Sequence, residues 1–255
     1  MKISIGPRQL AYESVGSGPV LVLVHAFPFD GRMWRKTATA LAGQRRVIAP
    51  DMRGFGQSDL GSEGFSIADL ADDVAALLDA LKVPAATVGG MSMGGYVALA
   101  FARRHGDRLK SLILADTKAA ADTPEARQGR EAAITLVRTQ GVAALLERQI
   151  PRLLSASASD SLRAEVRVLG AQPPDAVIAA IRALRDRPDR TAELPKIAVP
   201  ALVVVGSEDA LSPPGDARAM AAALRDARVV EIPGSGHLSN LENPDAFAAA
   251  LAGFA

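Results

Sequence analysis

Gly90-Met91-Ser92-Met93-Gly94 has the G-x-S-x-G spacing of a nucleophilic serine. It follows a β-like run, Thr87-Val88-Gly89, and precedes a helical one, Tyr96-Val97-Ala98-Leu99-Ala100, so the serine falls on a strand–turn–helix junction. A serine at the tip of so sharp a turn needs small residues two positions to either side, and Gly89 and Gly95 add to that room. The Oγ would then stand beside a helix N-terminus, whose N–H groups can stabilise an oxyanion. A glycine-rich turn kept for packing would share the pattern, so the reading depends on a base and an acid elsewhere in the chain.

A serine hydroxyl is a poor nucleophile until a base takes its proton. The chain has three histidines. His105, in Arg103-Arg104-His105-Gly106-Asp107, ends the helix that starts at the serine. At about 1.5 Å per residue that helix carries it far from Ser92, and it reads as a solvated residue at the helix C-terminus. His25 opens His25-Ala26-Phe27-Pro28 and reads as a loop brace bonded to backbone. His237, in Pro233-Gly234-Ser235-Gly236-His237, lies in a loop between the last strand and the last helix, where two glycines free the backbone to deliver the imidazole. His237 is therefore the expected base.

The imidazole needs an acid that fixes its tautomer and stabilises its charged form. Asp209 follows an apolar strand in Gly206-Ser207-Glu208-Asp209 and is the favoured acid. Glu208 beside it, and Asp116 after Leu112-Ile113-Leu114-Ala115, stay open as alternatives. Two oxyanion donors are expected: the N–H of Met93 from the turn, and the N–H of Phe27 from the loop after Val20–Val24. Pro28 has no N–H and shapes that loop instead. The Gly-rich Asp51–Ser58 stretch lacks the spacing of a phosphate-binding loop and reads as a turn packed near the site. No His/Asp/Glu pattern resembles a metal site, and the chemistry needs no cofactor.

These residues need a scaffold to position them. The 255 residues suit one α/β domain with an insertion. Strands are expected at 20–25, 47–50, 86–91, 109–115, 201–206 and 228–232, after an opening hairpin of 3–5 and 10–14. Several are too uniformly apolar to alternate, as befits strands buried on both faces of a mostly parallel sheet. Between them, helices are expected at 66–81, 98–104, 216–224 and 245–254, the first with Ser66 and Asp69 as an N-terminal cap. Residues 1–116 and 191–255 form the expected core. Residues 117–190 show no strand, only helical sequence broken at Gly141, Pro151, Gly170 and Pro173-Pro174, and read as a helical lid over the sheet edge where α/β ligands bind.

Composition narrows the function. Twenty-nine Lys and Arg against 28 Asp and Glu leave a formal charge of +1, with none of the basic stripe typical of nucleic-acid binders. No cysteine is present, so disulfides and thiolate chemistry are excluded. Residues 1–16 lack the apolar stretch of a signal peptide and the longest nearby apolar run is too short to span a bilayer, which together imply no membrane anchor and a cytoplasmic location.

The serine turn, the His25–Pro28 loop, Asp51–Ser58, Gly206–Asp209 and Gly234–His237, in that spacing along nearly the whole chain, resemble the α/β-hydrolase superfamily. The order Ser92, Asp209, His237 is the one that fold implies. Within it the chain is similar to small carboxylesterases and 3-oxoadipate enol-lactonases, the latter through Asp116-Thr117 and Thr123–Arg127. Phe27-Pro28-Phe29-Asp30 is shared with plain esterases and cofactor-free haloperoxidases, whereas Ser92 argues against dehalogenases, whose nucleophile is an aspartate. The resemblance implies hydrolysis of small or medium carboxylic esters through an acyl-enzyme. Lactone hydrolysis, perhydrolysis or C–C hydrolysis by the same residues remain alternatives, and a complete triad counts against a non-catalytic ligand-binding protein. Residues 117–190 contain no Phe, Tyr or Trp, so Ile134, Val137, Leu145, Leu146, Ile150, Leu153 and Leu154 are expected to face the acyl chain, with Phe29 and Trp34 joining Phe27 as an aromatic wall.

Overall fold

The opening hairpin turns at Gly6, whose φ of +58° suits glycine, and joins β1 (Lys2–Ile5) to β2 (Arg8–Val15). β3 (Val20–Val24) and α1 (Arg35–Leu41) follow, then β4 (Arg46–Pro50), α2 (Ile67–Ala80), β5 (Ala86–Met91), α3 (Met93–Arg104) and β6 (Leu109–Ala115). Next come α4 (Pro124–Leu153), α5 (Asp160–Leu169), α6 (Pro174–Arg185), β7 (Ala201–Gly206), α7 (Pro214–Ala223), β8 (Ala227–Ile232), α8 (Ser239–Glu242) and α9 (Pro244–Ala252). The structure is a computed structural model and describes residues 1–61 and 64–254.

The eight strands form one sheet in the order β1-β2-β4-β3-β5-β6-β7-β8. The β1–β2 and β2–β4 pairs are antiparallel and all the others parallel. From β3 the chain steps to one side for β4 and to the other for β5, which opens a crevice at the carboxyl ends of β3 and β5. Val24 pairs with Gly90 there, so the loop after β3 and the turn after β5 emerge side by side.

Alternation along the strands divides the core in two. Val22, Val24, Leu112, Leu114, Val203 and Val205 face α2, α3 and α7. Leu21, Leu23, Ile113, Ala115, Leu202 and Val204 face α1 and α9. The segment between β6 and β7 holds α4, α5 and α6, and it packs onto both halves. Ile134, Val137, Leu145 and Leu146 join the first, and Ile150, Leu153 and Leu154 the second. α4 breaks at Gly141 (φ +83°), whereas Pro151 lies in its last turn without a break in the helical dihedrals.

Local chemistry explains the helix ends. Ser66 Oγ accepts from the Asp69 N–H while the Asp69 carboxylate accepts from the Ser66 N–H, a reciprocal capping box at the start of α2. α3 begins at Met93, five residues before the expected 98, because its first turn is the glycine-rich segment whose weak helix propensity tertiary contacts override. α1 is a short helix that the apolar pattern does not announce.

Replacing Ser66 by alanine should cost about 1 kcal/mol. The thermal midpoint should fall by about 2–4 °C, as expected for a chain of this size. An unchanged melting curve would show that the box contributes nothing to the folded state.

Candidate active site

β5 ends in a turn at Ser92, whose φ of +53° and ψ of −110° lie outside the regions open to ordinary residues. Several bonds hold it there. Ser92 N–H donates to Ala115 O at the end of β6 (2.9 Å), and Ser92 O accepts from Gly95 N–H (3.0 Å) and from Thr117 Oγ1 (2.8 Å). The glycines are required by contact. A Cβ on Gly94 would strike the carbonyls of Val24 and His25, and one on Gly90 would strike the Gly94 backbone.

His237 and Asp209 arrive from separate loops, after β8 and β7. Asp209 Oδ2 accepts from His237 Nδ1 at 2.8 Å and from Ser212 Oγ at 2.7 Å, and Oδ1 accepts from the N–H groups of Leu211 (2.7 Å) and Ser212 (3.0 Å). A carboxylate in that position needs the proton on Nδ1, which leaves Nε2 as the basic nitrogen. Burial would raise the Asp209 carboxyl. The His237 hydrogen bond and charge outweigh it, with help from the Ser212 bonds, and hold it below the usual carboxylate range. Glu208, the neighbouring alternative, is exposed. Asp116, the other alternative, is buried and bonds to Gly206 N–H and Ser239 Oγ instead.

The loop after β3 lies across the crevice. His25 is fully buried, with Nδ1 donating to Ala26 O (3.0 Å) and Nε2 accepting from Met52 N–H (2.9 Å). Burial lowers its basicity, and it serves as the neutral brace expected of it. Asp51 closes the neighbouring turn by accepting from Gly31 and Gln57 N–H. Among the described residues, the N–H groups of Phe27 and Met93 donate to no protein acceptor. Both are therefore free to meet an oxyanion.

Phe27, Ser92, Tyr96, Ser212 and His237 line one cleft of about 530 Å³. Among the described residues no hydrogen bond joins Ser92 Oγ to His237, although both line this cleft. A second cleft, about 430 Å³, lies around Leu99, Arg103 and Val199 and includes none of the candidate residues.

The expected lining of the cleft needs correction. Phe29 and Trp34 are fully buried in the second core, Trp34 with its ring 5.8 Å from Phe247, and neither lines the cleft. Of the seven aliphatic residues expected to meet substrate, Leu153 alone lines the cleft, and the others are buried in the two cores. The insertion also brings Lys118, Asp122, Glu125, Arg130, Gln149 and Arg152 to the cleft, interleaved with Ala126, Gly129, Ala133, Leu153 and Leu184. Asp122 pairs with Arg130 (3.0 Å) and with the buried Arg187 (2.7 Å), whose guanidinium lies 4.2 Å above the Tyr96 ring. Burial would raise Asp122, but these two cations hold it below the usual range.

Sequence reasoning missed Ser212 and this polar lining. The spacing Asp209-x-x-Ser212 was a usable signal, since a hydroxyl three residues after an aspartate can close a turn onto it. The set Ala126, Gly129, Arg130 and Ala133 was another, since it marks a helix stripe of small residues around one arginine that borders the cleft.

Asp209→Asn should lower kcat by about 10⁴-fold, because an amide neither stabilises the imidazolium nor holds the tautomer. Glu208→Gln should leave steady-state rates within about twofold, as substitutions at exposed positions usually do. Equal losses at the two positions would remove Asp209 from its assigned place.

The chain resembles known proteins throughout. The 3-oxoadipate enol-lactonase 1 of Acinetobacter baylyi is 31% identical over 242 residues, covering 93% of this chain and 89% of the relative. A thermophilic esterase from Thermogutta terrifontis, solved with malate bound, superposes with a TM-score of 0.96 at 38% identity, covering 100% of this chain and 97% of that one. The enol-lactonase from Burkholderia xenovorans superposes with a TM-score of 0.92 at 31% identity, covering 100% and 99%. The model of the alpha/beta hydrolase family matches residues 21–250, from the first parallel strand to the last helix, and the chain belongs to that family.

Proposed function

We propose that this hydrolase cleaves carboxylic esters through an acyl-enzyme on Ser92. The observation that carries this is the buried Asp209–His237 pair, bonded so that Nε2 is basic, in one cleft with Ser92. In this reading Nε2 takes the Ser92 proton as Oγ attacks the ester carbonyl, and the N–H groups of Phe27 and Met93 receive the oxyanion. His237 returns the proton to the departing alcohol. Water then repeats the cycle through the same base and frees the acid.

The polar cleft favours a narrower substrate class than alkyl esters. Asp122 is already matched by Arg130 and Arg187, while Lys118 and Arg152 have no acidic partner within ion-pair distance among the described residues. These two cations outnumber Glu125, which lines the same cleft and also lacks an ion-pair partner among the described residues, and the excess suits an ester or lactone that carries a second, free carboxylate. Two of the similar proteins point the same way, one named for 3-oxoadipate and one solved with malate, since both compounds are dicarboxylates.

Ser92→Ala should remove ester turnover while leaving the fold intact, and an organophosphate should label the native chain once, on the peptide containing Ser92. An alanine variant with ordinary turnover overturns the nucleophile. For the substrate class, the p-nitrophenyl hemiester of succinic acid should exceed p-nitrophenyl butyrate in kcat/KM, and added salt should shrink the difference. Lys118→Met and Arg152→Met should each reduce it by about fivefold, the effect of about 1 kcal/mol for a partly exposed charge pair. A preference for butyrate over the hemiester would sink the anionic reading and leave the esterase reading in place.

A further inference from the structure

The acid after β6 that loses the imidazole to Asp209 is still tied into the site. Asp116 has a φ of +44° and is 1% exposed, and its N–H donates to Val204 O. Its Oδ1 accepts from Gly206 N–H at 2.7 Å, and its Oδ2 lies 2.5 Å from Ser239 Oγ. Gly206 ends β7, three residues before Asp209, and Ser239 stands two residues after His237. One carboxyl therefore holds both the strand end that leads to the acid and the segment that follows the base. The fit between them is tight, since a Cβ on Gly206 would strike the carbonyls of Ser235 and Gly236.

The surroundings of Asp116 are unsuited to a charge. Among the described residues no Arg, Lys or His pairs with it. The charged groups facing it are Asp209, from the loop after β7, and Glu242, from α8. His237 is already committed to Asp209. Burial first, and then the Asp209 charge, push the Asp116 carboxyl well above the ordinary carboxylate range, against the pull of its two hydrogen bonds. A second buried anion beside Asp209, with no counter-ion of its own, costs far more than one hydroxyl proton short of an acceptor.

We propose that Asp116 is a neutral carboxylic acid that positions the catalytic pair. It donates its Oδ2 proton to Ser239 Oγ and accepts from Gly206 N–H, which sets the spacing between the Asp209 and His237 loops. Asp209 is then the one residue of the two that presents a negative charge to the imidazole. This role differs from that of a reserve acid, which would have to be ionised.

Three measurements test it, on the full chain. The infrared difference spectrum of the native protein minus Asp116→Asn at neutral pH should contain the C=O stretch of a protonated carboxylic acid. Carboxylate bands in its place overturn the proposal. A second readout is stability against pH. An acid protonated when folded and ionised when unfolded loses stability as pH rises from the ordinary carboxylate range, so Asp116→Asn should gain thermal midpoint relative to native between about pH 5 and pH 8. A pH-independent difference overturns it. The kinetic readout rests on the ester-hydrolase reading, whereas the other two do not. Asp116→Ala should lose about a hundredfold in kcat from a displaced pair, and the isosteric Asp116→Asn should recover most of that loss. An asparagine variant as poor as the alanine one shows that the charge is needed and overturns the proposal. If the alanine variant does not fold, the infrared and melting results decide. Absence of ester turnover in the native chain defeats the functional reading alone.

Discussion

Ser92 is held at φ +53° because backbones from three neighbouring strands meet around it. The carbonyls of Val24 and His25 press on Gly94 from one side, and Ala115 O binds the Ser92 N–H from the other. Strain of this kind survives only where surrounding structure over-determines it. Three consequences follow from one packed turn. The Ser92 side chain reaches the cleft at the carboxyl end of the sheet, the Met93 N–H has no protein acceptor, and Phe27 of the β3 loop lines the same cleft. The strand order makes this possible, since β3 and β5 are neighbours whose connections leave in opposite directions.

Buried carboxyl groups around the turn take different states according to their partners. Asp209 has an imidazole, a hydroxyl and two N–H groups, and stays ionised. Asp122 has two guanidinium groups, and its charge is spent on holding the insertion beside Tyr96. Asp116 has one N–H, one hydroxyl and no cation, with Asp209 nearby. Identical side chains thus divide into a charge bonded to the His237 imidazole, a charge matched by two guanidinium groups and, in the state proposed above, a neutral clasp, and the division is set by what each can bond.

The segment between β6 and β7 is tied to the loops after β3, β4 and β8. Glu242 accepts from Gly236 N–H, just before His237, and from Ser155 N–H, just after α4. Leu238 N–H donates to Leu153 O. At the other side Gln172, between α5 and α6, donates to Asp30 and accepts from Gly56 N–H, which ties it to the β3 and β4 loops. Displacement of the insertion would therefore disturb the segments that carry His237 and Phe27.

Much of this was legible in the amino-acid order. The parallel strands, the α2 cap, the serine turn and the His237 loop are local matters of apolar runs, glycine placement and capping chemistry, which short stretches of chain settle for themselves. Of the three histidines, His25 is the brace its position suggested, and His237 is the one that lines the cleft with Ser92. What folding alone decided were relations between distant segments. Glu208 and Asp209 are adjacent and chemically alike, and only the packing of β7 against the β8 loop turns one inward and leaves the other exposed. Phe29 and Trp34 follow the oxyanion loop closely in sequence, yet the 3-10 turn at 31–34 carries Trp34 under α9, and both rings go to the core. The character of the cleft was least accessible. Helical periodicity shows which face of a helix is apolar and will be buried, but it cannot tell whether a polar face meets open water or a nucleophile, because that depends on where the helix is docked. In this chain most aliphatic residues of α4 are buried in the cores, and Arg130, Gln149 and Arg152 line the cleft with Ser92 together with small residues and Leu153.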